Sequence, residues 1–414
     1  MRQILTAVTM AATAAFASAQ QNVFQAPESL QSPVINADGS VTFNLYAPAA
    51  REVTVNGDWE ADGGRCAMVN DGQGLWTATT AALPSDMYSY RFTIDGFTTI
   101  DPANPYCFRD VANVFSYFFT PGEQSAYYQV HPVPHGTVSA VYYHSDTTNT
   151  DRRLMVYTPA GYEDSNRAYP VLYLLHGSGG DETAWLNLGC AARILDNLIA
   201  RGQAEPMIVV MPNSVMHTTA ASGESVDNLD FRPRLTNQIP GAYKNGLFET
   251  AFPEIVTFID THFRTRTDKH SRAVAGLSMG GFHSLFIAAN YPEMFDYVGL
   301  FSAGVNFDSV DMTLPAYADL DAKLAAQARA GVAVYYMACG TDDFLYPFNR
   351  QLQGRLAAAG LQPIRQDSPR GHLWSNWRRY LLAFAPQLFK SPASRPSKSS
   401  DQVQKGSRLR RDGS

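Results

Sequence analysis

The sequence predicts two parts in series: an all-β immunoglobulin-like sandwich, then a mostly parallel sheet with helices on both faces. Three observations predict this. Residues 30–122 carry short period-two runs, such as Val41-Thr-Phe-Asn-Leu-Tyr46 and Tyr88-Ser-Tyr-Arg-Phe-Thr-Ile94, with turn signals at Asn36-Ala-Asp-Gly39, Asn70-Asp-Gly72 and Asp95-Gly96. From about residue 150 the rhythm becomes strand–helix alternation. Pro170-Val-Leu-Tyr-Leu-Leu175 is apolar throughout, as a strand covered on both faces requires.

In chain order, residues 1–19 read as a secretory leader. Arg2 gives a positive start, Ile4 to Phe16 is apolar, and Ala17-Ser18-Ala19 is a small-x-small cleavage site. The expected mature chain starts at Gln20 and is secreted or periplasmic. Residues 20–124 form the expected sandwich and 125–390 the strand–helix part, with 123–150 connecting them. Strands are expected at Leu154–Tyr157, Val171–Leu175, Met207–Met211, Ala273–Leu277, Tyr297–Ser302 and Val332–Ala338. Helices are expected over 183–201, 249–264, 279–291, 344–359 and 375–389. Residues 391–414, rich in Ser, Lys and Arg, read as a disordered basic tail.

Composition narrows the function. With 45% hydrophobic and 17% charged residues, the 414-residue chain is globular and long enough for two domains. No apolar run approaches the ~18–20 residues of a membrane span. The formal net charge is −6, and the basic tail and Arg2 make the remaining body more acidic still. That argues against nucleic acid as a partner but does not hinder a neutral polysaccharide. The four cysteines, Cys66, Cys107, Cys190 and Cys339, form no C-x-x-C pair and no metal-ligand spacing. Export permits disulfides, and the sequence leaves their pairing open.

Chemistry centres on Ala275-Gly276-Leu277-Ser278-Met279-Gly280-Gly281, which reads as a strand, a sharp serine-bearing turn and a helix. The turn strains the serine backbone, and a side chain at Gly276 or Gly280 would strike the neighbouring strand or helix. After it, Phe282, Leu285, Phe286 and Ala289 fall at helical spacing. A serine hydroxyl is a poor nucleophile until a base takes its proton. In an α/β hydrolase the partners follow in the order serine, acid, histidine. His283 lies on the helix after the elbow and points elsewhere, which leaves His372, in the loop Pro369-Arg-Gly-His372, as the base. The acid belongs after the strand ending near Ala338, in Cys339-Gly-Thr-Asp342-Asp343-Phe344. Spacing does not choose between Asp342 and Asp343; the one not used is placed to cap the helix beginning near Phe344. Two backbone N–H donors are needed for an oxyanion. Met279 supplies one, and Ser178, in the loop Leu175-His-Gly-Ser-Gly-Gly180, the other. His176 reads as structural. The Gly-rich loop lacks the G-x-x-x-x-G-K pattern of a phosphate cradle.

Residues 125–390 resemble carbohydrate esterase family 1, the feruloyl and acetyl xylan esterases. The matching stretches are His135-Gly-Thr-Val138 with Tyr142-Tyr143, Val156-Tyr-Thr-Pro-Ala-Gly-Tyr162, Tyr173–Gly180 with Trp185, Asp196-Asn-Leu-Ile199, Met211-Pro-Asn213, Ala275–Gly281, Gly340–Leu345, and Gly371-His372 with Trp377. The resemblance puts the acid at the second residue after Gly-Thr, which is Asp343. Residues 27–122 resemble the carbohydrate-binding module that flanks glycogen branching and debranching enzymes, on Val53-Thr-Val-Asn-Gly57, Gly74-Leu-Trp76, Tyr88–Phe92 and Asp101-Pro-Ala-Asn-Pro105 among others. Together the two resemblances imply a two-domain bacterial feruloyl esterase. They imply a serine esterase without metal or cofactor, acting through an acyl-serine on feruloyl esters of arabinoxylan. The alternatives are acetyl xylan esterase, an enterobactin-type siderophore esterase, or a carbohydrate-binding protein with an inactive hydrolase domain. Trp185, Phe231, Pro233 and Trp374 are the expected contacts for the aromatic acyl ring. Trp59, Trp76, Tyr106 and Phe108 are the candidates for stacking on sugar.

Overall fold

A computed structural model describes residues 30–59, 61–110, 113–221, 223–225 and 244–390. The expected leader, the tail 391–414, Phe231 and Pro233 lie outside the described residues. The chain divides into two compact units, one of residues up to Arg109 with Val114–Ser125, the other of Asp110–Asn113 with Ala126 onward.

The first unit is all-β. Its strands are β1 (Val34–Ile35), β2 (Val41–Tyr46), β3 (Val53–Gly57), β4 (Arg65–Ala67), β5 (Val69–Asn70), β6 (Leu75–Thr79), β7 (Met87–Ile94), β8 (Phe97–Thr99), β9 (Cys107–Asp110) and β10 (Asn113–Phe119). One sheet runs β1-β2-β6-β5 and the other β4-β3-β7-β10-β9, with β8 on β7. Val41, Phe43 and Leu45 alternate inward from β2, as do Tyr88, Tyr90 and Phe92 from β7, and they meet in one core. Each such buried side chain contributes about 2 kcal/mol of apolar burial. Trp59 and Trp76 belong to that core rather than to a sugar-binding surface. Trp59 stacks on Phe43 at 5.5 Å, and Trp76 donates its indole N–H to the Ala47 carbonyl at 3.0 Å. Tyr106 stays exposed.

The second unit holds an eight-stranded sheet of order β11-β12-β14-β13-β15-β16-β17-β18. These strands are β11 (Thr137–Ser145), β12 (Thr150–Thr158), β13 (Val171–Leu175), β14 (Ile208–Pro212), β15 (Arg272–Leu277), β16 (Tyr297–Phe301), β17 (Val334–Gly340) and β18 (Ile364–Ser368). β11 and β12 are antiparallel, β12 meets β14 antiparallel, and the rest run parallel. Its helices are α1 (Ala184–Asn187), α2 (Ala191–Ala200), α3 (Leu247–His262), α4 (Met279–Asn290), α5 (Leu320–Ala330), α6 (Tyr346–Ala358) and α7 (Trp374–Phe384). Both faces of the sheet are covered. Tyr173 of β13 packs edge-on against Phe252 of α3, whereas Phe301 of β16 packs against Tyr380 and Phe384 of α7. This double coverage is why β13 and β15 carry no charged side chain except Arg272.

Several elements differ from expectation. The connecting stretch contains β11, a mostly exposed edge strand. β18, Ile-Arg-Gln-Asp-Ser, is likewise a polar edge strand. The single helix expected over 183–201 breaks into α1 and α2, because Cys190 adopts a left-handed φ of 53°. α5 went unexpected. None of these carries the apolar run that marks the central strands.

Candidate active site

Ser278 sits between β15 and α4 with φ 52° and ψ −116°, a conformation that a side-chain-bearing residue holds only when its surroundings force it. The forcing contacts are backbone ones. Its N–H donates to the Phe301 carbonyl at 2.8 Å, and the Phe282 N–H donates to its carbonyl at 3.0 Å. A Cβ on Gly280 would lie 2.6 Å from the His176 carbonyl oxygen, and one on Gly276 would lie 2.9 Å from the Gly280 Cα. Both flanking positions are therefore closed to any side chain.

The parallel register brings the carboxyl ends of β13, β15 and β17 to one edge, and the loops that follow them converge there. His372 Nε2 lies 2.9 Å from Ser278 Oγ, and His372 Nδ1 lies 2.8 Å from Asp343 Oδ2. Asp343 is 3% exposed, and its other oxygen accepts the Leu345 N–H at 2.8 Å. Burial by itself would raise the Asp343 pKa. The His372 hydrogen bond and charge, the Leu345 N–H and the Ser302 hydroxyl outweigh it and hold the carboxyl below its ordinary range. An ionised carboxylate only accepts, so Nδ1 donates and Nε2 presents its lone pair to the Ser278 hydroxyl. Asp342 is exposed, and the Leu345 N–H goes to Asp343 rather than to it. The expected division of labour, one aspartate on the histidine and the other capping the helix, is not what forms: α6 starts at an N-cap Leu345 without a side-chain cap, and Asp343 both meets the histidine and closes the turn before the helix.

The loop after β13 lies against the serine. A Cβ on Gly177 would be 3.3 Å from Ser278 Cβ, and the exposed Ser178 follows it. Met279 is the first residue of α4, where backbone N–H groups have no intrahelical partner. His176 anchors this loop from beneath. The Ser214 N–H donates to its Nε2 at 3.0 Å, so its Nδ1 donates to the Gly177 carbonyl at 2.8 Å. Burial pushes the His176 pKa down to about 4. As pH falls below 6.5 the unfolded chain therefore takes up a proton that the native state refuses. The stability tied to this site is present above 6.5 and is lost progressively towards about 4. The urea midpoint is expected to fall across that window, and to fall less in His176→Gln; an identical fall in the variant contradicts the assignment.

Residues 145–388 match the family described as "Putative esterase". The chain belongs to this esterase family. Residues 31–107 match carbohydrate-binding module 48, the isoamylase N-terminal domain. An endo-1,4-beta-xylanase/feruloyl esterase of Xylanibacter ruminicola is 32% identical over 86% of this chain and 46% of its own length. The chain thus spans about half of that relative. The enterobactin esterase of Shigella flexneri shares the fold over 87% of this chain and 95% of its own, with a TM-score of 0.60 and 18% identity. A ferulic acid esterase of Anaeromyces mucronatus covers 64% of this chain and 95% of its own, with a TM-score of 0.50 and 24% identity. The fold is that of an α/β hydrolase preceded by an all-β sandwich.

Around the histidine, the esterase domain adds Asn376, which the sequence did not single out, and gives Trp377 and Phe344 of the matching stretches a place. Asn376 donates to the Pro369 and Gly371 carbonyls at 3.1 and 3.0 Å and so fastens the loop that carries His372. Trp377 stands edge-on to the imidazole at 4.8 Å and donates its N–H to Ser302 at 3.1 Å. The signal for Asn376 was its place at the start of the last helix, where the carbonyls of the preceding loop need donors. Phe344 lies against the imidazole at 4.6 Å between ring centroids.

The expected acyl contacts fare differently. Trp185 is 1% exposed, donates its indole N–H to the Leu175 carbonyl at 2.9 Å, and meets Phe301 edge-on. That corrects the expectation of a substrate contact: the ring is part of the core behind the site. Trp374 is half-buried, packed edge-on against Trp185 at 5.4 Å and Trp377 at 5.1 Å. Phe231 lies outside the described residues. No disulfide joins the four cysteines, and burial pushes the thiol of Cys339, near Asp343, up to about 12. Among the described residues no group of His, Cys, Asp and Glu is arranged to hold a metal ion, and no helix is long and apolar enough to cross a membrane.

Proposed function

We propose that the protein is a secreted serine esterase that hydrolyses feruloyl esters on arabinoxylan through an acyl-serine intermediate. One observation carries the reading: the hydrogen-bond chain from Asp343 through His372 to Ser278, ending on a strained serine at a helix N-terminus. His372 takes the Ser278 proton as Oγ attacks the ester carbonyl. Asp343 holds the imidazole in the productive tautomer and balances the imidazolium that forms. The oxyanion is received by the Met279 and Ser178 N–H groups. The imidazolium then protonates the departing sugar hydroxyl, and water repeats the cycle on the acyl group. The substrate class is supported by the xylanase/feruloyl esterase relative, and the polysaccharide partner by the match to the carbohydrate-binding module. Export rests on the leader at 1–19, with cleavage after Ala19.

Ser278→Ala is expected to lower kcat on methyl ferulate by about 10⁶-fold with the fold intact. Equal rates for variant and wild type contradict the reading. In the wild type, kcat/KM on methyl ferulate is compared with that on acetylated xylan. Far faster release of acetate overturns the acyl assignment and leaves the serine chemistry standing.

A further inference from the structure

Phe344 is 68% exposed although it follows the nearly fully buried Asp343. Isolated exposed apolar residues are ordinary on a protein surface. This one is not isolated in function, because part of its ring rests on the His372 imidazole with an interplanar angle of 49°, and the rest is open. The imidazole is flanked elsewhere by the edge-on, buried Trp377. Phe344 is therefore the aromatic surface that the base shares with solvent.

The proton path says what that surface meets. Ser278 Oγ bonds to the acyl carbon, and the carbonyl oxygen turns towards the Gly177–Ser178 loop and Met279. The oxygen that leaves must take its proton from His372 Nε2, so the alcohol half of the ester lies along the imidazole. An open ring touching that imidazole borders the alcohol, not the acyl group. A sugar presents a face of C–H groups that packs on an aromatic face, whereas methanol presents none.

We propose that Phe344 is the platform of a leaving-group subsite, stacking the sugar residue whose hydroxyl is esterified. The inference rests on the serine-esterase reading of the same site. It assigns no part in the chemical step to the ring; the role is to bind and orient the glycosyl group against the proton donor.

The test keeps the acyl group fixed and changes the alcohol. Phe344→Leu preserves apolar bulk over the imidazole but removes the flat face, and Phe344→Trp restores a larger one. Wild type and both variants are assayed on methyl ferulate and on a feruloylated arabinoxylan oligosaccharide. Phe344→Leu is expected to lower the ratio of the two kcat/KM values, oligosaccharide over methyl ester, about tenfold, chiefly through KM on the oligosaccharide. Phe344→Trp is expected to restore the ratio. An unchanged ratio in Phe344→Leu overturns the proposal, whether both substrates slow together, as a purely shielding ring would give, or neither does. If the wild type hydrolyses neither feruloyl ester, the acyl assignment fails separately, and the same ratio is read on ethyl acetate and an acetylated xylo-oligosaccharide.

Discussion

Asp343→Asn is expected to lower kcat about 10⁴-fold while the protein stays folded, and Asp342→Asn to change it no more than a few-fold. The difference follows from geometry. Asp343 is buried, receives the imidazole N–H at 2.8 Å and also accepts the Leu345 N–H. An amide at that position can turn a donor towards Nδ1, which forces the other tautomer and leaves a proton on Nε2, where the serine needs a lone pair. Stability is expected to fall as well, because the carboxylate is held below its ordinary pKa. Its contribution is present above the unfolded value and is lost as pH falls through the folded one. Thermal unfolding of Asp343→Asn at neutral pH, set beside its kcat, separates the two effects. Equal losses in Asp342→Asn would reverse the assignment.

Gly280→Ala is the second large effect. The new Cβ would meet the carbonyl oxygens of Leu175 and His176, both backbone atoms at the end of a central strand. Nothing flexible is available to yield, so α4 must shift away from β13. The cost is expected to be about 3 kcal/mol or more. The same shift moves the Met279 N–H and pushes at the loop that carries Ser178, so activity is expected to fall more than stability alone accounts for. Chemical denaturation and kcat on methyl ferulate measure the two losses, and a variant as stable and active as wild type would contradict the packing account.

The parts legible in the sequence are those where local pattern and tertiary demand coincide. β13 and β15 are buried on both faces, so burial left an unbroken apolar mark on Val171–Leu175 and Ala273–Leu277. The elbow was legible because its two flanking glycines answer steric contacts on both sides. His372 was legible from chain order. The choice of Asp343 over Asp342 was not, since adjacent residues of one turn differ only in which way the backbone points them. It needed the family resemblance.

The two strands of the second unit's sheet that the sequence does not mark share one physical cause. β11 and β18 are edge strands that hold their place through a single neighbour, so their sequences need little apolar content. Trp185 misled for the opposite reason. It follows the glycine-rich loop closely in sequence, but the short α1 turns its ring inward to the Leu175 carbonyl. The exposure of Phe344 is not legible in the sequence, because nothing in Asp342-Asp343-Phe344 reveals which side chain the turn leaves open. A ring's exposure is a property of the packed loop, not of the residue.

If the acyl group passes through Ser278, intact-protein and peptide mass spectrometry after a rapid acid quench will find it there. Wild type mixed with methyl ferulate is predicted to carry one feruloyl group, on the peptide that contains Ser278, and Ser278→Ala to carry none. A feruloyl group on another residue, or steady turnover by Ser278→Ala without any adduct, would contradict it.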